Sequence, residues 1–153
     1  MPDLVTNVMP VEDERQIYRL YALYCHYFNH GEAEKWVSLF APDGSFIRLN
    51  PSTAAPGQKA NPAGSTVGHA ALTEMALSRR EMFKGQVRHQ QTDIVITPGQ
   101  DTNHANGISF ILLTDWRDGS GKLRSVGDCR AQFVRLPEGW RFKSIELSTL
   151  PRT

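Results

Sequence analysis

Residues 122–147 read KLRSVGDCRAQFVRLPEGWRFKSIEL, and this stretch decides the fold. Lys122 to Leu136 and Trp140 to Leu147 are rich in β-branched, aromatic and alternating polar side chains. Period-two alternation is the signature of a strand with one buried face. The Leu136-Pro137-Glu138-Gly139 stretch between them is a turn signal, so the two runs pair as antiparallel neighbours. On the first strand Cys129, Ala131 and Phe133 share one face, while Arg130, Gln132 and Val134 share the other. The small and apolar set is expected to face inward.

Upstream lie two more β-rich runs, Val87 to Thr97 and Gly107 to Arg117, separated by the turn-rich PGQDTNHANG and followed by DGSG. Earlier still the period changes. Ile17, Leu20, Tyr21, Tyr24 and Phe28 recur at three- and four-residue steps, a helical stripe. Pro10 and the acidic Glu12-Asp13-Glu14 favour its start, and Asn29-His30-Gly31 stops it. A short second helix is expected from Glu32 to Phe40, then a turn at Ala41-Pro42-Asp43-Gly44 and a strand from Ser45 to Leu49. Leu72, Met75, Ala76, Arg79 and Phe83 mark a third helix ended by Gly85. Residues 50–67 hold three prolines and two glycines with almost no large apolar side chain, which reads as a long loop or mobile flap. Residues 1–10 read as a flexible tail and 11–150 as one domain. Helices followed by a meander of strands imply an α+β fold, with a curved mixed or antiparallel sheet enclosing a pocket under the helices.

Composition narrows the function. The apolar fraction of 40% and charged fraction of 22% are those of a globular domain. With 17 Lys plus Arg against 16 Asp plus Glu, the net charge is +1. The densest basic run, Arg79-Arg80 with Lys84 and Arg88, reads as a solvated face, so no nucleic-acid partner is expected. No segment approaches the roughly 18 apolar residues of a membrane helix. The N-terminus lacks a basic start and an apolar run, so a cytoplasmic location is expected. Cys25 and Cys129 lack CxxC spacing and read as small buried hydrophobes. No nucleotide-binding glycine loop or GxSxG elbow is present.

Several motifs together carry a resemblance. They are Tyr24-Cys-His-Tyr-Phe-Asn29-His-Gly-Glu, Trp36-Val-Ser-Leu-Phe40-Ala-Pro-Asp43-Gly, Gly68-His-Ala, Arg88-His89-Gln-Gln-Thr92-Asp93-Ile-Val-Ile, Gly127-Asp-Cys-Arg-Ala-Gln-Phe-Val-Arg135 and Gly139-Trp140-Arg-Phe. In this order the chain resembles the NTF2-like superfamily, and within it the SnoaL-like branch that includes scytalone dehydratase-type enzymes. The resemblance implies a cone-shaped α+β fold with an apolar cavity. It also implies a choice among dehydratases, isomerases, cyclases, epoxide hydrolases and non-catalytic binding domains, so fold does not fix chemistry.

His89 is the leading candidate, because the resemblance places a proton-transferring histidine at this strand position. A neutral imidazole can take a proton beside a carbonyl and return it to a leaving hydroxyl. The competing reading is a histidine that only donates a hydrogen bond. Asn29 departs from the aspartate that the resemblance implies; as a catalytic candidate an amide can orient an imidazole or bind a substrate oxygen, but it cannot accept a proton at neutral pH. Tyr24 could polarise a substrate oxygen, or it is a core aromatic. Ligand contacts are expected from His26, Phe28, Phe46, Asp93, Asp115, Cys129 and Phe133, with His89, Gln91, Asp93 and Val95 on one strand face. His26 and His30 have the spacing of two metal ligands but no recognisable third, so no metal and no cofactor are expected. The leading expectation is a cofactor-independent lyase or isomerase acting on a small, partly apolar substrate, as a homodimer or homotrimer. The alternatives are a ligand-binding or scaffold domain, and a structural small subunit similar to those of ring-hydroxylating dioxygenases.

Overall fold

The computed structural model describes residues 3–51 and 62–151. Helix α1 (Val11–Asn29) is followed by α2 (Ala33–Val37), β1 (Phe40–Arg48), β2 (Gly64–Val67), α3 (His69–Phe83), β3 (Val87–Pro98), β4 (His104–Asp115), β5 (Lys122–Leu136) and β6 (Gly139–Thr149). The six strands form one sheet in the order β2-β1-β6-β5-β4-β3. All neighbours are antiparallel except β1 and β6, which run parallel. The sheet is therefore mixed, and its curved inner face holds the helices.

The stripe of α1 explains the packing. Ile17, Leu20, Tyr21 and Tyr24 are buried, and the two tyrosine rings meet Phe133 and Phe142 of the sheet edge-on. Tyr21 lies 5.5 Å from Phe133 and 5.6 Å from Phe142, while Tyr24 lies 5.9 Å from Phe142 and 5.5 Å from Trp36, ring centre to ring centre. Such offset and edge contacts suit the ring quadrupole and fix helix orientation beyond simple burial. One polar clamp reinforces this. The buried Asp13 carboxylate accepts from Arg135 Nη1 at 2.9 Å, Arg135 Nη2 at 3.1 Å and Trp140 Nε1 at 3.0 Å, tying the start of α1 to β5 and β6.

Four expectations change. The second helix is shorter than read, because Phe40 has already joined β1 and pairs with Phe142. The Ala41–Gly44 turn is a register break inside β1, between Phe40 and Ser45. The β2 strand lies in the stretch expected to be a loop, whose residues 52–61 lie outside the described residues. The N-terminal tail is anchored at its end, where Met9 is buried in the core. At the other end of α1, Gly31 has φ +71°, and a side chain there would stand 2.9 Å from Arg80 on α3. Glycine is thus required both for the backbone bend and for the approach of α3.

Candidate functional site

A hollow opens between the inner sheet face and the helices. Its wall combines Tyr24 and Phe28 of α1, Met75, Arg79 and Phe83 of α3, Phe46 and Arg48 of β1, His89 of β3, and inward residues of β4, β5 and β6. The free space is about 620 Å³ with the mouth included, and its interior is narrow. A slim ligand, or a small movement of the wall, is required.

His89 is buried here, with Phe28 edge-on at 4.8 Å and Phe83 at 5.8 Å, ring centre to ring centre. It lies on β3, the end strand of the sheet, whose outward backbone groups lack a strand partner. Asn29 supplies one. Its Nδ2 donates to the His89 carbonyl at 3.0 Å, and its Oδ1 accepts from the His89 amide at 2.8 Å. This two-way pairing fixes which end of the amide is oxygen. The same Oδ1 lies 2.9 Å from His89 Nδ1, and because an amide oxygen only accepts, Nδ1 must carry the proton. The neutral ring therefore exposes its lone pair at Nε2, which has no partner among the described residues.

Electrostatics keep the ring neutral. Burial, followed by the Arg79, Arg48 and Arg124 guanidiniums, pushes the His89 pKa down to about 3. Burial likewise lifts the Tyr24 hydroxyl well above its ordinary value, so it remains a neutral donor.

The three arginines were not among the expected site residues. Arg48 follows Phe46 by two along β1 and so shares its face, a signal that alternation alone contains. Arg79 belongs to the inward stripe of α3; the reading of Arg79, Arg80, Lys84 and Arg88 as one solvated face holds only for the last three. Arg124 was hidden by a β-bulge. Leu113 pairs with Ser125 and Thr114 with Leu123, leaving Arg124 as the extra residue, and Arg124 and Ser125 both line the hollow. Bulges re-aim side chains in this manner.

Of the expected contacts, Tyr24, Phe28, Phe46 and His89 line the hollow, and Asn29 holds His89 from behind. Asp93 does not reach it. It is exposed with φ +53°, in a β3 bulge between Thr92 and Val95. The bulge reverses the alternation, so Ile94 and Ile96 pack inward and Val95 turns to the outer face, contrary to the expected shared face. Asp115 sits behind the wall as a counter-ion. Its carboxylate accepts from Arg117 Nε at 2.9 Å and Nη2 at 2.5 Å, and lies 3.6 Å from Arg124 Nη1. The Arg117 guanidinium holds that carboxyl below its ordinary range. Cys129 and Phe133 face inward as read, but they fill the core deeper in the cone, where Gln91 Nε2 donates to Cys129 Sγ at 3.8 Å. His26 is exposed on the outer side of α1 and stacks on His30 at 6.2 Å.

Comparison with known proteins agrees with this architecture. A family model described as a SnoaL-like domain matches residues 9–146. The chain belongs to the SnoaL-like domain family. Among solved structures it is similar to an NTF2-like protein with a cystatin-like fold from Novosphingobium aromaticivorans, at 21% identity over 94% of this chain and 85% of that one, TM-score 0.77. A protein of unknown function from Mycobacterium tuberculosis is similar at 23% identity over 92% and 77%, TM-score 0.74. A candidate scytalone dehydratase from Novosphingobium aromaticivorans is similar at 20% identity over 91% and 85%, TM-score 0.68. These likenesses show the NTF2-like fold. No curated protein matches the chain at a significant level. Among the described residues no helix is long and apolar enough to cross a membrane.

Proposed function

We propose that this SnoaL-like chain is a cofactor-independent acid/base enzyme, a dehydratase, isomerase or cyclase, with His89 Nε2 as its proton carrier. The observation that carries the reading is the clamp by Asn29, which leaves a lone pair on a buried ring at the wall of the hollow. In a dehydration, Nε2 would take a proton from the carbon beside a carbonyl, and the freed pair would form the C=C bond as the β C–O bond breaks. The imidazolium would then return its proton to the departing hydroxyl, releasing water with no change of redox state. Tyr24, held as a neutral phenol, would donate to the substrate carbonyl oxygen, where charge builds up. Membership in the SnoaL-like family and the likeness to a candidate scytalone dehydratase support this class.

One observation favours a second reading, a non-catalytic binding domain. An imidazole held near pKa 3 is a weak base while the hollow is empty. The two are separated by incubating the protein with a panel of β-hydroxy ketones and enones in D₂O and following α-proton exchange or loss of water by NMR. The wild type is expected to turn over at least one compound and His89→Gln none, with its melting temperature retained. Turnover in His89→Gln would remove the histidine from the chemistry; saturable binding without exchange in the wild type would select the binding domain. Association of copies through the outer sheet face belongs to the same proposal and is read by light scattering.

A further inference from the structure

Three cations around one narrow hollow need an explanation, and they come from three separate elements. Arg48 closes β1, Arg79 stands on the inward face of α3, and Arg124 projects from the β5 bulge. Among the described residues no Asp or Glu lines the hollow with them. Among the described residues neither Arg48 nor Arg79 has a carboxylate partner; Arg79 reaches only the Met82 sulfur at 3.9 Å, and Arg48 lies over the Phe46 ring at 5.8 Å. Arg124 is the most telling. Its side chain is 8% exposed, and its Nη1 is buried with no hydrogen-bond partner, since Asp115 at 3.6 Å stands beyond bonding distance. A buried guanidinium N–H without an acceptor is costly, and like charges across a low-dielectric space add to that cost. The rest of the wall is mixed: aromatic and aliphatic side chains, Phe28, Phe46 and Phe83 among them, stand beside the polar Tyr24, His89, Ser125 and Thr149.

We infer that the hollow takes an organic anion, a slim carboxylate whose charged end lies among Arg48, Arg79 and Arg124 and whose unsaturated or aromatic body lies against Phe28, Phe46 and Phe83. Guanidinium forks match carboxylate geometry, and three of them set both the charge and the orientation of the ligand. The inference rests on the acid/base reading only in placing the carboxylate's body beside His89; the recognition itself stands apart from catalysis. Binding has a consequence for that site. An anion among the arginines offsets their share of the field on His89, while burial, the larger cause of its lowered basicity, remains. Among the described residues the charged groups facing His89 are cations, Arg79 from α3, Arg48 from β1 and Arg124 from β5, while Asn29 on α1 is neutral.

The test is calorimetric titration of the full chain with cinnamate, phenyl phosphate and the neutral cinnamamide. Cinnamate is expected to bind roughly tenfold to a hundredfold more tightly than cinnamamide, the range for hydrogen bonds to a buried charged group. Arg48→Met and Arg79→Met should each erase most of that preference, and Arg79→Lys should recover part of it. Both Met variants are expected to melt no lower than the wild type, because they relieve repulsion between cations. Tighter binding of phenyl phosphate than of cinnamate would overturn the carboxylate assignment. Equal binding of amide and acid, or a preference untouched in both Met variants, would overturn the anion site altogether. His89→Gln should keep the preference for cinnamate, so failure of the anion site and failure of the histidine chemistry leave different signatures.

Discussion

The neutral tautomer of His89 is the most direct consequence of the Asn29 clamp, and it can be measured. Suppose the proton sat on Nε2 instead. Two lone pairs, on Nδ1 and on Asn29 Oδ1, would then face each other at 2.9 Å in a partly buried setting. The amide cannot turn to relieve this, because both its ends are engaged by the His89 backbone at 2.8 and 3.0 Å. Leaving a buried donor or acceptor unpaired costs about 1–3 kcal/mol, which favours the Nδ1–H form by a factor of roughly 5 to 150. Ring ¹⁵N shifts from long-range heteronuclear spectra report the tautomer. In the wild type near pH 7, Nε2 should show the shift of an unprotonated nitrogen. In Asn29→Ala the ring loses its anchor, the shifts of the two nitrogens should move toward each other, and stability should fall by about 2 kcal/mol in urea, since water reaches the open strand edge and replaces part of the lost pairing. A wild-type spectrum dominated by Nε2–H would refute the clamp and with it the orientation of the lone pair.

Two further outcomes follow from the burial of His89 and Asp13. His89 is depressed from an ordinary value of 6.5 to about 3, so the unfolded chain takes up a proton as pH drops below 6.5 while the folded chain does not. Its contribution is intact above pH 6.5 and lost as pH falls toward 3, at up to about 1.4 kcal/mol per pH unit. Urea unfolding of wild type and His89→Gln should thus diverge by about 2 kcal/mol between pH 6.5 and pH 5, and parallel curves would contradict the buried neutral ring. Asp13→Ala should cost about 2–3 kcal/mol, less than a fully buried pair because Arg135 is partly exposed, and it should weaken ligand binding as α1 loosens from β5 and β6. Unchanged stability in that variant would show that the aromatic contacts alone fix the helix.

The fold was legible because its signals are periodic. The stripe from Ile17 to Phe28 and the alternation from Cys129 to Phe133 depend only on regular geometry, and both elements stand where that geometry puts them. The site was legible only where the same regularity holds. His89, Phe46, Tyr24 and Phe28 fall on regular strand or helix and line the hollow. Asp93 and Arg124 fall on bulges, where one extra residue inverts the rule, and they account for one false contact and one missed one. Bulges leave little mark on a single sequence, since neither Asp93 nor Arg124 is a glycine. Arg79 was missed for another reason. A charged residue on an apolar stripe ordinarily carries its head group out to water, and only the convergence of three elements shows that this one lines the hollow instead.

Asn29 and the arginines explain one another. An aspartate at position 29 would keep the two bonds to Oδ1 but lose the Nδ2–H that meets the His89 carbonyl, setting two acceptors 3.0 Å apart at the open strand edge. It would also place a fixed negative charge beside the imidazole, which would raise the basicity of the ring in the empty site and draw on the field of Arg48, Arg79 and Arg124. With asparagine that negative charge is missing, and among the described residues the cationic wall has only Asp115, behind Arg124 and shared with Arg117, as counter-ion. The counter-charge for Arg48 and Arg79 is then left to the ligand. On this arrangement a bound anion removes the arginines' part of the field on the imidazole, while burial still favours the neutral ring. The neutral residue at position 29 thus leaves the anion that would offset the arginine field to come with the ligand.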